Sequence, residues 1–220
     1  VSTTDCSSRH QSCFRSAWHC DTLRSQHAAI KDALSGRELD VLRQLVPIEV
    51  EGAGNTSELR SIKDASGLAG LLVAMHTACL EGADMARPAA ILLTAGPAAG
   101  KTSLLSQLVV HILAQTATEP LIPIVVKVQV LQLRLREGGE AFAGAVNWVD
   151  AHLRAEHGAQ SALYRMLRQA MLARRAVLLI DGIDEGGQER TAIERHVVEV
   201  LASQGHVMLC TSRPDGVKEE

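Results

Sequence analysis

Hydrophobic positions in this chain follow two different rhythms on either side of Pro88. After it, short and nearly continuous apolar runs, AAILLT, LIPIVVKVQV, AVLLI and HVMLC, alternate with stretches whose apolar residues recur at helical spacing. Continuous runs of that length are how strands covered on both faces look, and they predict a parallel sheet. The helical stripes are Phe142, Val146, Val149 and Leu153, then Leu163, Met166, Leu167, Ala170 and Met171, then Ile193, Val197, Val200 and Leu201. Strands alternating with amphipathic helices predict an α/β, three-layer domain with right-handed crossovers.

Before Pro88 the rhythm is weaker. Residues 1–21 are rich in Ser, Cys and His without apolar period and are expected to form an unstructured, polar leader. Residues 22–87 are expected to be a small helical segment of unknown role. Within it Leu23, Ile30 and Leu34 mark one helix, Gly36 interrupts, and Leu39, Leu42 and Leu45 mark a second. VPIEVEGAG reads as an extended piece ending in a turn, and a helix is predicted over Ser66 to Glu81. Residues 88–220 form the α/β core in this reading.

Composition narrows the partners. With 220 residues, 46% hydrophobic and 2% aromatic, the core must be aliphatic. A net charge of -3 and a pI near 6.3 give no global field to gather nucleic acid or an anionic membrane. No apolar run approaches the roughly 18 residues that span a bilayer, so a soluble protein without membrane partners is expected. The N-terminus, Val1, lacks the basic-then-apolar order of a secretion signal and reads as that of a processed or excised chain. Five cysteines, with Cys6, Cys13 and Cys20 spaced by seven near His10, admit a zinc site or, more blandly, reduced thiols of a cytoplasmic protein. Cys79 and Cys210 sit in apolar surroundings and read as core fillers.

The chemistry concentrates at three strand ends. The first is Ala95, Gly96, Pro97, Ala98, Ala99, Gly100, Lys101, Thr102, followed by Ser103 at the start of a predicted helix over Thr102 to Gln115. In the pattern G-x-x-x-x-G-K-[ST], small residues let backbone N–H groups approach phosphate oxygens, the helix N-terminus adds partial positive charge, and the lysine supplies a full one. Ala95 stands where many such loops have glycine, and Ala98 would be strained if its site needs positive φ. The Thr102 hydroxyl can ligate Mg2+.

The second strand end is AVLLIDGIDEGG. Asp181, at the carboxyl end of a buried strand, faces the crevice where open α/β sheets bind ligands and can hold Mg2+. Asp184 or Glu185 can orient and deprotonate an attacking water. The third is TSRP after HVMLC, whose Arg213 can sense phosphate charge or simply belong to a strand-ending turn.

Taken together, TAGPAAGKTS, LLIDGIDEGG and VMLCTSRP resemble the NACHT group of STAND nucleoside triphosphatases, the D-G-x-D-E arrangement of Asp181, Gly182, Asp184 and Glu185 being its most diagnostic part. The resemblance covers roughly Pro88 to Pro214. It implies a P-loop NTPase fold and a switch: ADP holds a closed form, ATP exchange permits self-assembly through the core, and slow Mg2+-dependent ATP hydrolysis resets it. Only four of the family's strands are recognisable, so an exposed sheet edge, weak nucleotide affinity and a tendency to associate are expected. Two other readings stay open: an ATPase of another branch, such as an AAA+ motor, and a scaffold that binds nucleotide with little turnover. Neither a basic stripe nor stacking aromatics for nucleic acid is present in the sequence.

Overall fold

A computed structural model of the chain describes residues 20–31, 36–43, 62–81, 89–115 and 121–216. Four strands make one sheet: β3 (Ala90–Thr94), β4 (Ile122–Lys127), β5 (Ala176–Asp181) and β6 (Val207–Ser212). Their order is β3-β6-β5-β4 and every pairing is parallel. Each connection therefore has to cross over, and the helices of the crossovers supply the outer layers.

Every residue of β6 is buried, as are the first five of β5. Successive side chains of a strand point to opposite faces, so both faces of these central strands are covered and the fold is a three-layer α/β sandwich. Leu178, Leu179 and Leu209 are sealed completely, which is why their runs carry no polar alternation. β3 departs from the expected both-face burial. It has β6 on one side and no other strand among the described residues, its burial alternates, and Leu92 is 50% exposed. Edge position alone does not account for it, since β4 at the other edge is buried over Ile122–Ile124 and at Val126.

The helices are α1 (Ala65–Leu80), α2 (Lys101–Ala114), α3 (Val128–Glu137), the short α4 (Glu140–Ala143), α5 (Trp148–His157), α6 (Ala162–Leu172) and α7 (Arg190–His196), the last running on into a π-helical turn, Val197–Ala202. Side chains start three of them, with Asp64, Asn147 and Ser161 each accepting from backbone N–H groups of the first turn. Two sequence readings are corrected here. The run LIPIVVKVQV is not one strand: pairing with β5 ends at Lys127 opposite Asp181, and the chain turns at once into α3, whose Val128 and Leu131 face the core. Phe142 and Val146 do not share one stripe with Val149, because the chain breaks between α4 and α5 and leaves Val146 78% exposed.

Before the sheet, residues 20–27 are helical and Ala29–Lys31 (β1) pairs antiparallel with Glu38–Asp40 (β2), Ile30 opposite Leu39. The second helix expected over residues 39–45 is therefore a strand at its start. Cross-strand pairing of Ile30 with Leu39 uses the same apolar residues that helical spacing had claimed. The unstructured leader expected over residues 1–21 is corrected at its end, where residues 20 and 21 begin the helix of residues 20–27; residues 1–19, VPIEVEGAG and the Cys6, His10 and Cys13 cluster fall outside the described residues. Cys20 is a free, half-buried thiol whose pKa burial raises, and no metal-binding cluster occurs among the described residues.

The early elements lie against α2. Gln107 is buried and donates through Nε2 to the carbonyl of Val41 at 3.2 Å, and Arg24 donates to the carbonyl of Leu113 at 2.8 Å. As a result residues 104–110 of α2 are buried all round, and Leu23, Ile62, Leu68 and Leu72 join the same apolar cluster as the sheet. Cys210 is a core filler as its setting suggested, its thiol pushed up to about 12 by burial. No described helix is long and apolar enough to cross a membrane.

One packing contact carries a pH dependence. His196 stacks on Trp148 with ring centroids 4.3 Å apart, and its Nε2 accepts the Trp148 backbone N–H at 3.0 Å, so that nitrogen must be unprotonated. Burial lowers its pKa from 6.5 to about 4. Between those values the unfolded chain binds the extra proton, so stability is held above pH 6.5 and falls as pH drops toward 4. His27, His157 and His206 shift in the same direction. We expect a loss on the order of 2 kcal/mol from His196 across that window, read by urea unfolding at a series of pH values. His196→Gln, which keeps an acceptor for Trp148, should flatten the decline; an unchanged slope would remove His196 as its source.

Candidate functional site

At the carboxyl ends of the four parallel strands the polar groups of the sequence motifs come together. β3 releases the chain at Ala95, whose N–H still donates to the Ser212 carbonyl at 3.1 Å, and residues 95–100 loop back to start α2. The loop closes on itself through Ala99 N–H to the Gly96 carbonyl, 3.4 Å. Gly100 takes φ of 84° as the residue before the helix and has no capping side chain. The first intrahelical donor is Leu104, bonding back to Gly100, so the N–H groups of Lys101, Thr102 and Ser103 have no partner within the helix. A side-chain Cβ at Gly96 would meet no protein atom within 4 Å, so the space over the loop is open. Ala98 does adopt positive φ, 57°, the strained geometry its position foreshadowed.

Lys101 folds back over this loop. Its ammonium donates to the carbonyls of Ala95 at 2.7 Å and Gly96 at 3.0 Å, lying above the same backbone that would face an anion. The next residue, Thr102, reaches across to β5 and donates from Oγ1 to Asp181 Oδ2 at 3.0 Å. Asp181 Oδ1 in turn accepts from Thr211 Oγ1 on β6 at 2.9 Å, and that hydroxyl accepts the Gly182 N–H at 2.8 Å. Loop, β5 and β6 are thus joined by one hydrogen-bonded chain through a single carboxylate. Thr211 is fully buried, and sequence reading did not single it out; the available signal was a hydroxyl closing an otherwise apolar, buried strand.

Beyond Asp181 the backbone turns at Gly182, φ 76°, where a Cβ would lie 3.1 Å from the Glu185 side chain. The turn brings the two further acids back toward the strand ends, where Arg213 meets both. Its N–H donates to Asp184 Oδ1 at 3.1 Å, its Nε lies 3.2 Å from Asp184 Oδ2, and its Nη2 lies 3.7 Å from Glu185 Oε1. Asp184 is held almost wholly within the protein, 10% exposed at its side chain, whereas Glu185 is 43% exposed. Arg213 therefore faces the two acids, a pairing that its place in the sequence alone did not show.

Chemically, the loop with its outward N–H groups and Lys101 can hold an anion with several oxygens. The Thr102 and Asp181 oxygens also suit a hard cation. Their 3.0 Å separation matches adjacent corners of an octahedron with bonds of about 2.1 Å, the geometry Mg2+ demands. Residues 95–103, 181, 184, 185 and 213 all converge on this one end of the sheet.

No protein-family model and no curated protein matches the chain. A solved structure of C. elegans PCH-2 is similar over 70% of this chain and 39% of its own, at 16% identity and a TM-score of 0.44, so the chain spans well under half of that protein.

Two substitutions probe the geometry. Thr211→Val keeps the shape but strips partners from the Asp181 carboxylate and the buried Gly182 N–H, and should cost about 1–3 kcal/mol in denaturant unfolding. A cost near zero would mean those groups are satisfied elsewhere. Ala98→Gly relieves positive φ and should leave stability unchanged or raise it by up to about 1 kcal/mol, offset by unfolded-state entropy. A clear loss would show that the loop does not hold this conformation.

Proposed function

We propose that the chain is the ATP-binding module of a STAND-type signalling switch of the NACHT group, hydrolysing ATP slowly with Mg2+ and self-associating through its core. The observation that carries the reading is the bond from Thr102, one residue after Lys101, to Asp181 across the carboxyl ends of the sheet. It supports the reading by bringing the loop of residues 95–100 and the Asp181 carboxylate to one crevice, where nucleotide hydrolysis needs phosphate and metal held together. The D-G-x-D-E order of residues 181–185 favours the NACHT group over other branches.

In this reading the backbone of Ala95 to Gly100, with Lys101, holds the phosphates, and Thr102 and Asp181 hold Mg2+, which when bound neutralises charge that develops on the transferred phosphoryl group. Lys101 exchanges the carbonyls of Ala95 and Gly96 for a phosphate oxygen. Glu185 is the better candidate for the base. It is the more exposed acid and only loosely paired, so its Oε1 can accept a proton from water, while Asp184 is committed to Arg213. The same ion pairs favour a second reading, nucleotide binding with little turnover: as long as Arg213 neutralises Glu185, the base is restrained.

Thermal unfolding with and without MgATP tests the binding. Wild type at about 100 times the dissociation constant should gain about 2.7 kcal/mol, and Lys101→Ala should lose that gain. Retained stabilisation in the variant would refute the site. Glu185→Gln should keep the stabilisation while turnover falls roughly a hundredfold or more. Unchanged turnover would move the base to another group, and wild-type turnover already at background would select the second reading.

A further inference from the structure

A second cavity, of about 380 Å³, lies at the opposite end of the sheet, where β5 and β6 begin. It is separated from the Asp181 crevice by the length of β6, roughly 20 Å at 3.3 Å per residue. Its wall comes from the start of α5, the end of α6 and the turn into β6. That size lies within the range of small-molecule sites.

The charges within it do not cancel. Asp150 is already engaged, accepting from the Tyr164 hydroxyl at 3.2 Å and lying 3.6 Å from Arg168 Nε. Asn147 is likewise engaged, its Oδ1 capping α5 and its Nδ2 donating to Gln204 Oε1 at 2.7 Å. Those bonds fix the amide of Gln204 so that its nitrogen is the group left to donate. Arg174 enters with its guanidinium in no hydrogen bond or ion pair among the described residues; only its backbone is used, its carbonyl meeting His76 Nε2 at 2.7 Å. Subtracting the Asp150–Arg168 pair leaves one uncompensated positive charge.

His206 also lines the cavity. The residue is 4% exposed, and its Nδ1 is sealed from solvent without any partner. Orphaned buried N–H groups are rarer than orphaned acceptors, which puts the neutral ring's proton on Nε2. Burial and the nearby Arg174 keep the ring neutral. The cavity thus offers donors from Arg174, His206 and Gln204, with apolar surface from buried Met171 and the exposed Leu172 at its lip.

We propose that this cavity binds a small organic monoanion, an aliphatic carboxylate whose headgroup lies among Arg174, His206 and Gln204 and whose chain lies on Met171 and Leu172. The inference is independent of the nucleotide reading, since none of these residues belongs to the crevice at the other end of the sheet.

Hexanoate is the probe, with hexan-1-ol as the uncharged control, and histidine and backbone NMR signals of residues 204–207 are the readout. Hexanoate should shift those signals saturably in the millimolar range, hexan-1-ol should bind at least about tenfold more weakly, and Arg174→Gln should weaken hexanoate by about tenfold. Lys101→Ala, which disables the other site, should bind hexanoate like wild type. Arg174 is at the surface, so its variant should fold; His206→Leu, tested where it remains folded, should also weaken binding. Three results would each overturn the proposal: no saturable shift, equal binding of hexan-1-ol, or Arg174→Gln at full affinity. Loss of hexanoate binding in Lys101→Ala would do the same, by placing the carboxylate on the loop.

Discussion

The carboxylate of Asp181 is the joint on which the site depends. One oxygen is held by Thr102 from the loop that follows β3 and the other by Thr211 from β6, so an acid on β5 fixes the relative placement of three elements. Sheet order makes this possible, because β6 lies between β3 and β5 and brings Thr211 to the side of Asp181. Neither hydroxyl could do so from an antiparallel arrangement, in which neighbouring strand ends point opposite ways. A carboxylate held at both oxygens has little conformational freedom left to lose.

The cost of that arrangement is concentrated in the backbone. Ala98, Gly100 and Gly182 all take positive φ, and all three sit at the turns from strand end into loop or helix. Two are glycine, for which the conformation is easy, and one is alanine, for which it costs of order 1–2 kcal/mol. The rest of the fold supports this strain by burial: residues 104–110 of α2 are covered on every side by the sheet, by α1 and by the early segment through Gln107 and Arg24. Arg213 completes the set, tying the strand that carries Thr211 to the acids that follow Gly182.

Much of this was legible in the sequence, for identifiable reasons. The runs AVLLI and HVMLC announced buried central strands because burial on both faces removes polar alternation, and the small residues before Lys101 announced the loop between β3 and α2. What failed was local in the same sense. Ile30 and Leu39 fit helical spacing and a cross-strand pair equally well, and only tertiary pairing decided between them. The strand at Lys127 passes into α3 without a turn residue, so Val128 and Val130 looked like more strand. Thr211, the pairing of Arg213 and the cavity beside His206 depend on contacts between residues far apart in the chain, which no window of sequence displays.

In the proposed function, residues 102 and 181 build one cation site beside the loop of residues 95–100. Calorimetric titration of ATP into wild type and Asp181→Asn, each with Mg2+ and with EDTA, tests it most directly. Wild type should bind ATP more tightly when Mg2+ is present, and the variant, which keeps a side chain of the same size at the joint, should lose that Mg2+ dependence. Equal enhancement by Mg2+ in both proteins would contradict it.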